Sequence, residues 1–509
     1  MLAALSAALF SRVPPNLDLF EDGHSLAPLQ TYLQGGKPYR DTVPAHGWIS
    51  DGGLHWVAVR FVGESVVAIQ RFEAGFRLSF WPAVFLVAVA ATRRVGYALV
   101  GVFLLFLLFP QSGFSRPIPA LLALALAIHA MRSRRKSVWL AAGVAAAAAA
   151  MFAVEFGVFA SVAGLTAAAL SRRRRSANIG LYLAGASFVL LTAVFSAAAE
   201  GVLPALVSAH REHLPALLDV YALGLRSVVI PWQADASKIV FLAGLLASAA
   251  CLGHAVSRWP NLGGAVRSLL PLVVFFLLAS LSVVNRHHYV YPLIVLPGLV
   301  ALGLVALRRG SSVVRAAALA IVGVFVLAAI RPLSVLRSTI SRLGSVEIPA
   351  GWVRLEAPER VRGVYMRDAD ARLVQALEVV LGSGVIGSAD TWADFVNAPA
   401  LYYVFGRRPP VRYSDVPFFQ PPAARAEVSQ AFGSDPGIGV VLVRSGRPAE
   451  RVDGIDNRLR TPEVWKVISD CFEPAFRESD IEIWRRRPFG CRPQPERRVR
   501  ESASRPSSR

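Results

Sequence analysis

Only three cysteines, Cys251, Cys471 and Cys491, occur in this 509-residue chain, which excludes a disulfide framework and a cysteine zinc site. Cys251 lies in an apolar run, while Cys471 and Cys491 both fall near the C-terminus. There the sequence is compatible with a pair formed in an oxidising compartment and equally with two free thiols. Acidic residues are also scarce, 34 Asp and Glu against 54 Lys and Arg, for a formal net charge of +20. A nucleic-acid partner would require those cations on one continuous surface; they occur instead as short knots between apolar runs, so nucleic acid is not an expected partner. There is no Walker loop, no dinucleotide glycine fingerprint, no His-Glu-x-x-His and no nucleophile elbow, which excludes a pump that hydrolyses nucleotide in the same chain.

What is present is apolar side chain. Hydrophobic residues make up 54% of the chain and the mean hydropathy is +0.48, too much for one soluble core to hide. Apolar runs fall near 66–92, 95–110, 117–131, 138–170, 179–199, 237–256, 268–284, 289–307 and 313–331. The 138–170 run is too long for one crossing and carries Glu155 near its middle, so two short helices in a hairpin are expected, with Glu155 in a structural role at the tip. The first ten residues, MLAALSAALF, are too short to cross and read as the outer end of a first helix whose start is missing.

Basic knots test this topology. Arg93-Arg94, the Arg132 to Lys136 cluster, Arg172 to Arg175, Arg258 with Arg267, and Arg308-Arg309 with Arg315 all fall on one side if the 138–170 run is a hairpin. That side is cytoplasmic, and the 11–65 loop, the 200–236 loop, the 285–288 turn and everything after Arg331 are expected outside. The expected fold is therefore a polytopic α-helical membrane protein of about 11 spans in the inner (plasma) membrane, occupying 1–334. An extracytoplasmic α/β domain is expected over 335–487, and a disordered Arg/Ser-rich tail over 488–509. Within the α/β domain the pattern predicts helices at Asp368–Leu381, Pro421–Phe432 and Thr461–Phe472. Strands are predicted at Gly384–Ser388, Gly437–Val443 and Asp480–Trp484.

Chemistry concentrates in the first outer loop. It carries Asp18, Glu21-Asp22-Gly23-His24, Gly35-Gly36, Tyr39-Arg40-Asp41, His46-Gly47, Asp51-Gly52-Gly53 and Gly63-Glu64-Ser65, followed by Arg71. Carboxylates at the mouth of a bundle can stay ionised and take a proton from a nucleophile, and Arg40, Arg71 and the histidines can hold an anion. The same residues also suit a solvated loop with turn-forming Asp-Gly and Gly-Gly pairs. His210 and His213 have helical spacing but no accompanying carboxylate in ligand spacing, and read as a polar loop helix.

The run EDGHSLAPLQTYLQGGKPYRD, followed by AHG and then GES with an Arg, resembles the first periplasmic loop of GT-C-fold glycosyltransferases, the bacterial relatives of protein O-mannosyltransferases and aminoarabinose transferases. Arg286-His287-His288-Tyr289-Val290-Tyr291-Pro292 is similar to that family's approach to a late helix. Asn397-Ala398-Pro399, Tyr402-Tyr403 and Gly406 to Pro409 match in the soluble region. There are departures: Trp48 follows His46-Gly47 where the family has Pro, and the acidic pair runs Glu-Asp rather than Asp-Glu. The resemblance implies transfer of a sugar from a polyprenyl-phosphate donor to a glycan, lipid or protein acceptor on the outer face of the membrane, among membrane lipids. It implies Asp22 as general base with Glu21 as runner-up, and Asp41 as a second carboxylate that orients the acceptor or binds a divalent metal ion. Arg40, Arg71, Arg286, His287 and His288 are implied on the donor phosphate, and Tyr289 and Tyr291 on its lipid, although tyrosines at a helix end also serve as an interfacial belt. Two other classes compete: a transporter or flippase for a lipid-linked sugar, and a non-catalytic membrane scaffold.

Overall fold

The computed structural model describes residues 14–108, 115–172, 174–213, 215, 236–257, 263–284, 295–305, 348, 350–384, 386, 391–444, 451–452, 455–478, 481–488 and 490–491. Away from water only internal hydrogen bonding satisfies the backbone, and the Ala- and Leu-rich runs do so as helices. In chain order these are α1 (Gly23–Leu33), α2 (Leu54–Val62), α3 (Val66–Arg77), α4 (Phe80–Thr92), α5 (Val95–Leu108), α6 (Ile118–Ala130), α7 (Lys136–Phe152), α8 (Val154–Leu170), α9 (Arg175–Ala199), α10 (Leu203–Ser208), α11 (Ala236–Ser257), α12 (Gly264–Val284) and α13 (Val295–Val305). Two stretches, Val66–Thr92 and Arg175–Ala199, are long and apolar enough to cross a membrane. The expected count of about 11 spans is not established by the described residues, in which α11 and α12 run 22 and 21 residues beside these two stretches. The 313–331 run and the start of the 289–307 run lie outside those residues.

The 138–170 run folds as two helices of 17 residues each, α7 and α8, broken at the extended residue Ala153, with Glu155 in the first turn of α8. Helix α9 leaves Phe188 68% and Phe195 71% exposed, with Leu190 and Leu191 beside them. An apolar face of this kind suits lipid rather than water. Close helix contact is made through small residues: a Cβ on Gly143 of α7 would lie 1.9 Å from the Tyr182 carbonyl oxygen of α9. Gly143→Val is therefore expected to pry α7 from α9 and destabilise the fold by about 1–3 kcal/mol, seen as a lower melting midpoint of the purified protein. Gly180→Val, on the same helix pair but with nothing within 4 Å, is the matched control and should leave the midpoint nearly unchanged.

The C-terminal region is α/β. It comprises β1 (Trp352–Arg354), β2 (Tyr365–Arg367), α14 (Asp368–Gly382), β3 (Thr391–Asp394), α15 (Ala400–Val404), α16 (Pro422–Ser434), β4 (Ile438–Arg444), β5 (Arg451–Val452), β6 (Ile455–Asp456), α17 (Asn457–Arg460), α18 (Pro462–Cys471), β7 (Phe472–Glu478) and β8 (Ile481–Arg486). The main sheet has the order β3-β4-β8-β7, with β3 and β4 parallel and the other pairs antiparallel. The 384–388 strand predicted from sequence falls mostly outside the described residues, and β3 is the strand that enters the sheet there. Strand β7 begins where the Thr461–Phe472 helix was expected to end, because Phe472 is extended and buried against the sheet. Cys471 and Cys491 form a disulfide, and Cys251 is a buried free thiol.

One buried core joins Leu17, Leu19, Leu26 and Leu29 of the first loop to Val361, Met366, Leu377, Tyr402, Val440 and Ile483 of the C-terminal region. Polar contacts reinforce this joint. Arg360 Nη1 donates to Gln30 Oε1 and to the Tyr403 carbonyl, each at 2.7 Å, and the same residue pairs with Glu64. The α7–α8 hairpin tip meets the first loop through Val154 N–H, which donates to the His46 carbonyl at 2.7 Å. His213, after α10, packs on Tyr413 with ring centroids 4.9 Å apart. The 14–65 loop, the hairpin tip, the described start of the 200–236 loop and the C-terminal region thus meet at one end of the bundle.

The described residues of the basic knots lie elsewhere, and Arg258, Arg308, Arg309 and Arg315 fall outside the described residues. Arg93 Nη2 donates to the Gly264 carbonyl at 3.2 Å and to Ser268 Oγ at 3.1 Å. Burial, and then the charge of Arg93, lower Arg132 to about 10. Arg267 lies within electrostatic reach of Arg172 and Arg175. Lys136 and Arg172 flank the ends of α7 and α8 remote from the hairpin tip, roughly 25 Å away along helices of this length.

Candidate functional site

Asp22 sits where an N-cap would, yet its carboxylate makes no capping bond to α1; the backbone carbonyl alone receives the Ser25 and Leu26 N–H groups. The side chain turns back instead, and Oδ2 accepts from Asp18 N–H at 3.0 Å. By surface area Asp22 is half-buried, but its carboxylate is ringed by protein atoms. That burial dominates, the Asp18 N–H works against it, the charges of Glu73 and Asp18 add to it, and the net result raises the carboxyl to about 7. A carboxyl poised near neutrality suits proton transfer at physiological pH. Glu21 beside it is exposed, its N–H bonded to Asp18 Oδ1.

Gly23 makes this placement possible. A Cβ there would lie 2.5 Å from Pro399 Cγ and 2.7 Å from Ala400 N, so only glycine lets α1 abut the 399–400 turn. That turn is held by Asp394, at the C-terminal end of β3, whose carboxylate accepts Val396 N–H at 2.8 Å and Ala398 N–H at 2.7 Å. Burial raises Asp394 to about 7 against those bonds, and its role is to hold the turn.

Three histidines of the first loop each face a carboxylate. His24 Nε2 lies 3.2 Å from Oδ2 of fully buried Asp415, His46 Nδ1 lies 3.3 Å from Asp51 Oδ2, and His55 Nε2 lies 3.6 Å from Glu73 Oε2. Burial works against the charged His24 imidazole, but the Asp415 carboxylate 3.2 Å away outweighs this and holds its pKa above the ordinary value. Burial would raise Asp51, and the charge and hydrogen bonds of His46, with Arg116 beyond, hold it well below the usual carboxylate range. Ser50 Oγ–H also donates to Asp51 Oδ1 at 3.0 Å. The His24 and His46 rings are 6.1 Å apart, and Arg116 is near enough to act on both His24 and Asp51. Arg77 donates from Nε and Nη2 to Glu73 Oε1 at 3.1 and 2.7 Å, which places a guanidinium beside Asp22.

The other residues named from sequence are distributed differently. Asp41 accepts from Arg40 Nη2 at 2.7 Å and Lys37 N–H at 2.7 Å, with Arg408 3.8 Å away, and shares none of these partners with Asp22. Burial raises Asp41, and Arg40 and the Lys37 N–H outweigh it, so its pKa is lowered. Arg71 is exposed on α3 and forms no ion pair with a described residue. Arg286, His287, His288, Tyr289 and Tyr291 lie outside the described residues. For a divalent metal, no group of three or more His, Cys, Asp or Glu side chains converges among the described residues. Asp18 and Glu73, the carboxylates that act on Asp22, are bonded to protein donors. Arg77, Arg116, Asp394, Asp415 and Glu73 belong to the site without standing in any of the motifs above. Glu73 and Arg77 were findable as an i, i+4 pair at the start of a span, whereas Asp415 has no local signal.

No family model matches the chain, and no curated protein matches it. Among solved structures, the fold is similar to the arabinofuranosyltransferase AftD from mycobacteria, seen by single-particle cryo-EM, with a TM-score of 0.47 and 16% identity. That likeness covers 95% of this chain and 39% of the other, so the chain spans less than half of that protein.

Proposed function

We propose that the chain is a membrane glycosyltransferase that moves a sugar from a polyprenyl-phosphate donor to an acceptor hydroxyl on the outer face of the membrane, with Asp22 as general base. The observation that carries this reading is a carboxyl raised to about 7 at the end of the bundle where the first loop and the C-terminal region meet. Asp22 takes the proton of the acceptor hydroxyl as that oxygen bonds to the anomeric carbon. The bond from the anomeric carbon to the phosphate oxygen breaks, its electron pair leaves on the phosphate, and the configuration inverts. Cationic groups near Asp22 and His24, among them Arg116 and Arg77, supply positive potential for the departing phosphate. The outer-face assignment is supported by the Cys471–Cys491 disulfide, which suits an oxidising compartment, and by the arginine knots remote from the hairpin tip.

The test is incubation of the purified protein in lipid vesicles with radiolabelled polyprenyl-phosphate hexoses and pentoses. Donor cleavage with release of polyprenyl phosphate and a labelled acceptor product is expected. Donor that crosses the bilayer uncleaved would favour a flippase and overturn the reading.

A further inference from the structure

Asp22 lies in a short stretch of the first loop that one turn of the C-terminal region holds at both ends. On one side, Ala400 N–H donates to the Leu19 carbonyl at 3.0 Å. On the other, Gly23 packs so closely on Pro399 and Ala400 that no side chain fits between them. Within this bracket the loop folds on itself: Asp22 N–H donates to the Asp18 carbonyl at 3.1 Å, and Asp18 N–H donates to Asp22 Oδ2 at 3.0 Å. The place of the Asp22 carboxyl is therefore dictated by the shape of a turn far away in the chain.

That shape is not one the backbone adopts unaided. Asn397 sits at φ 55°, in the left-handed region that a residue with a side chain seldom visits. Two devices hold it there. From one side Asp394, 2% exposed at the end of β3, receives Val396 N–H on Oδ1 and Ala398 N–H on Oδ2. From the other, Asn457 Nδ2 donates to the Phe395 carbonyl at 3.0 Å, and Asn397 Nδ2 donates to Asn457 Oδ1 at 3.1 Å. The charges that act most strongly on Asp22 are those of Glu73, Asp18 and Arg77, not that of Asp394, so any influence of Asp394 on it passes through the turn. We infer that Asp394 is a positioning residue for the base: by shaping the 395–400 turn it clamps the 18–23 stretch and keeps the Asp22 carboxyl packed among protein atoms. An asparagine at 394 would test this with little change of volume, because it offers one acceptor oxygen where two N–H groups point and turns an NH2 toward the other.

The inference rests on the reading of Asp22 as the base, but its test does not use the reaction. Infrared difference titration of the full chain in detergent follows the C=O stretch of the protonated Asp22 carboxyl. In each variant the band is isolated by subtracting the same variant carrying Asp22→Asn, which also removes the titration of Asp394 itself. Asp394→Asn and Gly23→Ala loosen the joint from its two sides, the second by placing a Cβ 2.5 Å from Pro399 Cγ. In both, the midpoint is expected to fall from about 7 by about one pH unit or more toward the ordinary carboxylate range, as water reaches the carboxyl. Tyr402→Phe is the structural control. It removes a hydroxyl that accepts from Asp394 N–H at 3.1 Å and donates to the Trp392 carbonyl at 3.0 Å, and it leaves both carboxylate bonds of Asp394 in place. This variant should lower the melting midpoint and leave the Asp22 titration where it was. An unchanged titration in Asp394→Asn would overturn the inference; if that variant does not fold, an unchanged titration in Gly23→Ala would. An equal fall in Tyr402→Phe would overturn it as well, since the effect would then be general loosening. So would a wild-type midpoint already in the ordinary range, which leaves nothing for the turn to hold. Absence of sugar transfer by the wild-type protein would instead sink the reading of Asp22 as base and leave the titration result standing.

Discussion

Asp22→Asn is expected to abolish sugar transfer, by about two to four orders of magnitude, while making the protein more stable at pH 8. The two effects share one origin. The folded protein holds this carboxyl at about 7 against an ordinary 3.8, so ionising it in place costs folding free energy. The sign follows from proton uptake: between those two values the folded state binds more protons than the unfolded chain, so stability falls as pH rises through that window. Above about 7 the whole penalty is present, and asparagine removes it while its amide oxygen keeps the bond from Asp18 N–H. The stability gain is a few kcal/mol at most, because Asp22 retains some solvent contact. Melting midpoints at acid and alkaline pH measure it: the variant should exceed wild type on the alkaline side, and the difference should shrink toward acid. Glu21→Gln, at an exposed position, should alter neither transfer nor midpoint appreciably.

The second large effect is at the joint between first loop and C-terminal region. His24→Gln leaves Asp415 buried without its cation, and a loss of about 3–5 kcal/mol is expected. The double variant His24→Gln with Asp415→Asn should recover part of that loss, since no charge is then stranded. The pH dependence runs opposite to that of Asp22. His24 has its pKa raised in the fold, so its contribution is complete below the ordinary value of 6.5 and is lost as pH rises through the raised one. A double-mutant cycle on melting midpoints, run on both sides of this window, measures the coupling. Additive single variants would show that the pair does not hold the joint.

How far these features were readable in the sequence depended on range. The apolar runs were legible because a helix in lipid leaves the backbone no alternative, and even the break at Ala153 followed from length and from Glu155. Helices α1 and α2 were not, since Pro28 interrupts the first and the second turns its apolar residues outward, which removes the usual period of burial. Within the site, Glu21-Asp22-Gly23 stood out locally. Which carboxylate lies inside was decided by packing, through the contact of Gly23 with Pro399 and Ala400. The partners of the histidines were hidden for the same reason. Asp51 is near His46 in the chain, whereas Asp415 reaches His24 only once the C-terminal sheet has folded against α1. Asp41, prominent as text in Tyr39-Arg40-Asp41, is bound to its own neighbour Arg40.

Proton transfer in the proposed reaction depends on the ionisation of Asp22. The measurement is the pH dependence of kcat/KM for transfer from a polyprenyl-phosphate sugar by the reconstituted wild-type protein, with Asp22→Asn beside it. The expected profile rises about tenfold per pH unit on the acid side and levels near 7, the value at which Asp22 ionises, and the variant shows no transfer above background. A profile flat through neutrality, or transfer that persists in Asp22→Asn, would contradict it.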